Sequence, residues 1–223
     1  MTLPNFSNMY EQYLGIKERM LSLAQSNNHY GGRKFAPNSF FYSKVSSLHD
    51  ISEELVSVLK SSPPEPSLLS LDLSNRPILG PYRKKGEERT YVGQFWNGGW
   101  DGLVFYVDSD GEFFFGQAKN SKVHGIGFWW KKSDGTYFGQ LKDGYKNGSG
   151  LSRWASGAVY DGDFKNDEMH GNGTCTWPKS GRYSGEWRHD QKHGHGLLKY
   201  ENGDSYDGEW YQDKFHGKAV LIS

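Results

Sequence analysis

A single cysteine, Cys175, stands in this chain of 223 residues. No disulfide can therefore form within it, and a small secreted fold held by disulfides is excluded; a lone thiol suits a reducing compartment. Residues 1–30 lack a hydrophobic signal core, and no run approaches the ~20 apolar residues that span a bilayer. The expected location is cytoplasmic. Net charge is also lacking: 26 basic residues balance 26 acidic ones. From residue 91 onward there are 15 Lys and Arg against 17 Asp and Glu, and the first 90 residues hold 11 against 9. Neither part has the basic excess of a polyanion binder, so nucleic acid is not an expected partner. What the chain has instead is 29 glycines and 16% aromatic residues.

The glycines and aromatics fall at a fixed period, the mark of a repeat architecture. Tyr91, Phe114, Tyr137, Tyr160, Tyr183 and Tyr206 stand 23 residues apart. Two places after each comes Gly93, Gly116, Gly139, Gly162, Gly185 or Gly208. Eleven places after each comes Gly102, Gly125, Gly148, Gly171, Gly194 or Gly217, preceded by His124, His170, His193 and His216 in four copies. In YDGDF (160–164) apolar and polar residues alternate, which predicts a strand. KNDEMHG (165–171) reads as a turn, GNGTCTW (171–177) as a second strand, and PKSG (178–181) as a looser connection. A lone hairpin is marginal, so each unit is expected to stack on the next, its rings forming an aromatic ladder and its glycines giving them room.

These residues resemble the MORN-repeat family (membrane occupation and recognition nexus), whose unit runs Tyr-x-Gly-x-Trp and then His-Gly-x-Gly. The resemblance covers residues 91–223 in six copies, the last truncated. It departs from the pattern at Val104, Ala118 and Ala219. It implies a mostly β fold, an elongated single-layer antiparallel sheet of about twelve strands. It implies no single activity, since such arrays occur in cytoskeletal and ciliary scaffolds, in membrane-contact proteins and as extensions of enzymes.

The first 90 residues have a different grammar. Residues 1–60 are expected to be helical: Tyr10, Tyr13, Leu14, Ile16, Met20 and Leu21 lie at mostly helical spacing, as do Leu48, Ile51, Leu55, Val58 and Leu59. SNNHYGGRKFAPNSFFY (26–42) between them reads as loop. Residues 61–90 comprise a Pro/Ser-rich linker (61–67), a strand candidate at 68–73 and ILGPYRKKG (78–86) as a degenerate half-repeat capping the array. Short helices need something to pack on. On the face opposite the ladder, copies four to six carry Asp161, Asp163, Ser184, Glu186, Asp207 and Glu209, which predicts a solvated face. Copies one to three carry Val92, Phe105, Phe115, Ile126, Phe128, Trp130 and Phe138 there. That apolar face is expected to receive the N-terminal helices, with a partner protein as the alternative. Phe115, Phe128, Trp130 and Phe138 are its candidate binding residues.

The histidine column does not predict a metal. Equivalent positions two strands apart lie ~10 Å from each other, whereas zinc needs its ligands within ~2.1 Å of one ion. A turn histidine bonding its own backbone is the preferred reading. DSDGE (108–112) has Phe113 and Lys119 where a calcium loop needs Gly and Glu, and reads as a turn. Cys175 is expected on the inward side, as a packed thiol. No catalytic motif, metal set or cofactor signature emerges. The column Lys119, Lys142, Lys165 and Arg188 could face acidic lipid headgroups, but with turn acids beside it and no net charge it reads better as a solvated edge. At the C-terminus, Val220, Leu221 and Ile222 fall in the last strand, apolar on both faces, with neither Pro nor bulge expected to protect it. This edge is an expected assembly surface, for a second copy or a partner strand. The expected function is a non-catalytic scaffold for protein partners in a cytoskeletal or ciliary assembly. The alternative is a peripheral adaptor binding anionic lipid through the basic column.

Overall fold

The computed structural model describes residues 29–30, 33–34, 78–83, 89–110 and 112–222. The expected helices, the linker at 61–67 and the strand candidate at 68–73 lie outside the described residues. Within the stretch read as loop, β1 (His29–Tyr30) pairs antiparallel with β2 (Arg33–Lys34) around Gly31-Gly32. The sequence reading missed this ribbon, whose strands are too short to show a period.

The chain divides into two compact units, residues 1–131 and 132–223. In the first, β3 (Ile78–Arg83), β4 (Thr90–Trp96), β5 (Gly99–Val107), β6 (Phe113–Lys119) and β7 (Lys122–Lys131) pair antiparallel in sequence order. Within the stretch 78–86, Ile78–Arg83 form β3, which pairs with β4. In the second unit the antiparallel order is β8 (Gly135–Lys142), β9 (Tyr145–Arg153), β10 (Val159–Lys165), β11 (Glu168–Trp177), β12 (Gly181–Arg188), β13 (Gln191–Lys199), β14 (Ser205–Tyr211) and β15 (Lys214–Ile222). The described residues contain no helix.

The hairpin turns are tighter than KNDEMHG suggests. Lys165 pairs with Glu168, so only Asn166 and Asp167 turn, at φ 51° and 72°. Two residues at positive φ are the pattern of a type I′ hairpin, whose twist matches that of the strands. The same pair recurs as Asn120-Ser121, His189-Asp190 and Gln212-Asp213. Glu168, Met169 and His170 therefore belong to a strand. The chain makes up the difference with a bulge. Between the pairs Gly162↔Gly173 and Phe164↔Met169, one residue of β10 faces three of β11. All six hairpins carry this shift, β14–β15 included, so the expectation of no bulge at the last edge is corrected. A bulge strengthens the local twist and re-aims the strand.

The aromatic ladder is the core of the second unit. Ring centroids run Tyr137–Phe164 5.3 Å, Phe164–Tyr160 5.1 Å, Tyr160–Trp187 5.5 Å, Trp187–Tyr183 5.1 Å, Tyr183–Trp210 5.2 Å and Trp210–Tyr206 5.0 Å, all T-shaped. Each copy's Trp or Phe thus stands edge-on between its own tyrosine and that of the copy before, the arrangement ring quadrupoles favour. In the first unit Tyr106 and Phe114 stack at 5.5 Å, and a second ring set, Phe105, Phe113 and Phe128, lies on the opposite face.

Candidate functional site

The polar groups of the array are organised by the bulge. In copies one to five the side chain three places after the aromatic reaches across it to accept a backbone N–H: Gln94 from Leu103 at 2.8 Å, Gln117 from Ile126 at 2.8 Å, Gln140 from Ser149 at 3.1 Å, Asp163 from Asn172 at 3.2 Å and Glu186 from His195 at 2.9 Å. The glycine column makes room for it. Gly194 sits at φ 55°, and a Cβ there would run into the Glu186 carboxylate. Asp163 and Glu186 lie on the solvated face as expected, half-buried and exposed respectively, and in addition accept N–H groups that the bulge removes from the ladder. The signal was in the sequence, since all six copies carry Gln, Asp or Glu at this position.

On the inner face the tyrosine hydroxyls donate to bulge carbonyls. Tyr160 reaches the oxygens of Asp163 (2.9 Å) and His170 (3.4 Å), Tyr183 those of Glu186 (2.9 Å) and His193 (3.4 Å), and Tyr206 those of Glu209 (2.7 Å) and His216 (3.2 Å). The histidine column contributes its backbone carbonyls here. The His170 and His193 rings do not bond their own turn backbone; they pack instead against other rings, His170 edge-on to His189 at 5.7 Å and His193 tilted on Tyr211 at 5.3 Å. His189 Nδ1 lies 2.7 Å from a Glu168 carboxylate oxygen. Burial lowers the pKa of His170, helped by Lys165, His189 and Arg188 around it. Among the described residues no cluster of His, Cys, Asp and Glu has metal-binding geometry.

A third device joins consecutive copies. The second turn residue bonds the strand of the preceding copy twice. Asp190 N–H donates to the Met169 carbonyl (3.1 Å) while its carboxylate accepts the Met169 N–H (2.7 Å). Asp167 does the same to Lys146, and Asp213 to Lys192. Lys192 also lays its ammonium over Trp210 (5.1 Å), Trp177 (5.5 Å) and Tyr183 (5.9 Å), 3.3 Å from Asp213, a cation–π contact on the ladder.

Phe115, Phe128 and Phe138 are buried and Trp130 half-buried, so those positions do not form an open surface. The Cys175 thiol is buried beside the ladder tyrosines, and that burial pushes its pKa up to about 12. Lys119, Lys142, Lys165 and Arg188 are all exposed at the hairpin ends. DSDGE is a turn: the Asp108 carboxylate accepts the N–H groups of Asp110 (3.0 Å) and Glu112 (2.9 Å). The exposed apolar side chains gather on β15, where Phe215 is 55%, Val220 61%, Leu221 76% and Ile222 59% accessible. No helix among the described residues is long and apolar enough to cross a membrane.

Stacked bulged hairpins, clasped turn to strand and threaded by an aromatic ladder, define a β-hairpin repeat protein. Residues 137–159, 160–182, 183–205 and 206–223 each match the family model described as MORN repeat, so this part of the chain is a run of four MORN repeats. The matched segments coincide with copies three to six. Copies one and two share their turns and bulges but depart in residues: Phe114 replaces the hydroxyl-bearing tyrosine, and Val104 stands in the glycine column. No curated protein matches the chain.

Proposed function

We propose that the chain is a non-catalytic scaffold, whose hairpin array presents a rigid surface to protein partners in the cytoplasm. The observation that carries this reading is the use of polar side chains within the repeats. Carboxylates and amides accept bulge N–H groups, tyrosine hydroxyls bond carbonyls, and turn aspartates clasp the preceding copy. Groups held this way build a stiff frame and are poorly placed for proton transfer or nucleophilic attack. The proposed contact surface is β15, apolar on both faces and paired with β14 along one edge. It would take a strand from a partner or from a second copy by continuing the sheet. A cytoskeletal or ciliary setting follows from the family resemblance alone. Size-exclusion chromatography with light scattering tests the β15 surface, comparing the chain with Leu221→Lys. Assembly that weakens in the variant supports it. A monomer at high concentration, together with unchanged capture of proteins by the variant, removes it.

A second reading rests on the exposure of Lys119, Lys142, Lys165 and Arg188: a peripheral adaptor on anionic lipid. Turn acids share that edge, which weakens the field such a column could project. Co-sedimentation with phosphatidylserine vesicles separates the readings. Strong, salt-sensitive binding lost on Lys142→Glu/Lys165→Glu would replace the scaffold reading.

A further inference from the structure

The face of the first unit opposite its ladder is mostly apolar, with Thr90, Gln94 and Gln117 among the apolar side chains, and is largely shut off from water. Val92, Leu103, Val107 and Phe113 are 1% accessible, and Phe105 and Phe128 are buried with them. They share one face by register: Val92 pairs with Phe105, Phe105 with Phe115 and Phe115 with Phe128. The strands that carry them form one layer, each packed mainly on its sheet neighbours. A single layer cannot dry its own outer face, so something lies on it. Among the corresponding residues of the second unit Phe138 is buried, whereas Asp161, Ser184 and Asp207 are exposed, so the dry face is a feature of the early copies. The first unit runs from residue 1 to 131.

We propose that the cover is the segment 48–59, which lays Leu48, Ile51, Leu55, Val58 and Leu59 on the outer face of β4–β7. Its sequence has the required pattern, those five residues at helical spacing with Asp50, Ser52, Glu53, Glu54 and Ser57 between them. The reach suffices. Residues 60–77 separate the segment from β3, and an extended chain covers about 3.3 Å per residue, whereas four strands at about 4.8 Å span less than 20 Å. Bulky aliphatic side chains against Phe105, Phe115 and Phe128 would close the face without burying a charge.

The full chain carrying a benzophenone amino acid at position 55 tests this by photo-crosslinking and peptide mapping. Adducts on the outer-face residues Val92, Leu103, Phe105, Phe115 or Phe128, and few from a probe at position 54, are expected. Adducts on the second unit, or only between two chains, would overturn the proposal. A second measurement uses thiol accessibility. In the full chain with Val92→Cys, position 92 should resist alkylation, and adding Ile51→Glu/Leu55→Glu should speed it at least ten-fold while Cys175 stays unreacted. Alkylation that is already fast, or that the two glutamates leave unchanged, refutes the cover. If Cys175 also reacts, the ladder itself has opened and the crosslinking result alone decides.

Discussion

Gly196 is the place where the packing of the ladder can be tested most sharply. A Cβ added there would overlap both the ring and the hydroxyl of Tyr183. That ring is fully buried, with Trp187 and Trp210 edge-on at 5.1 and 5.2 Å. It cannot step aside without losing its bonds to the Glu186 and His193 carbonyls. Overpacking costs about 1–3 kcal/mol and a displaced hydrogen bond about 1 kcal/mol more, so Gly196→Ala should destabilise by roughly 2–4 kcal/mol. For a unit the size of residues 132–223 each kcal/mol moves Tm by about 4–8 °C, which predicts a fall on the order of 10–30 °C. The natural Ala219 occupies the same column in copy six and supplies the contrast. Strand β15 is exposed along its length and can move outward, whereas β13 is paired on both sides. Calorimetry or circular dichroism melts of the full chain, with Lys199→Ala as a control at an exposed position of the same strand, would check it. A loss below about 1 kcal/mol at Gly196, or one equal to the control, would refute the claim that the glycine exists for the ring.

Glu186→Ala removes the acceptor of the His195 N–H and should cost about 1–2 kcal/mol in chemical denaturation, while Glu186→Gln keeps most of it. Asp190→Ala opens the clasp on Met169 and should cost about 1–3 kcal/mol, with faster amide exchange at Met169 than at Lys192. His170 has its pKa lowered in the folded chain, so the unfolded chain binds the extra proton first. Its neutral form stabilises fully above the ordinary value of 6.5, and that contribution drains away as pH falls below it. The Tm of the chain relative to His170→Asn should therefore be higher at pH 7.5 than at pH 5, and a flat difference would contradict the assignment.

The 23-residue period, the strand alternation and the glycine columns were legible in the sequence because each obeys a local rule. Alternation follows from the two-residue pleat, and the repeat needs no knowledge of contacts. From these the antiparallel hairpins, the aromatic ladder and the inward position of Cys175 follow. The MORN resemblance drawn from them extends over more of the chain than the matched residues 137–223. The placement of Phe105, Phe115 and Phe128 on one face was also readable, since it depends only on parity along a strand.

The bulge was not readable, and most of the polar architecture depends on it. KNDEMHG has turn composition throughout, yet only Asn166-Asp167 turns. The pairing of Lys165 with Glu168 is decided by the neighbouring strands, and the two residues left over open at His170-Gly171-Asn172. Once that happens, Asp163 and Glu186 accept orphaned N–H groups while still facing solvent. The histidines likewise present carbonyls to tyrosine hydroxyls, where the sequence reading had their rings bonding their own turns. The clasp of Asp190 on Met169 joins residues 21 apart, a distance at which no local propensity acts. Strand direction and facing follow from the covalent chain. Which carbonyl meets which hydroxyl is decided only when the two strands of a hairpin pair in register with their bulge, because a hydrogen bond is set by tenths of an ångström and a periodicity is not.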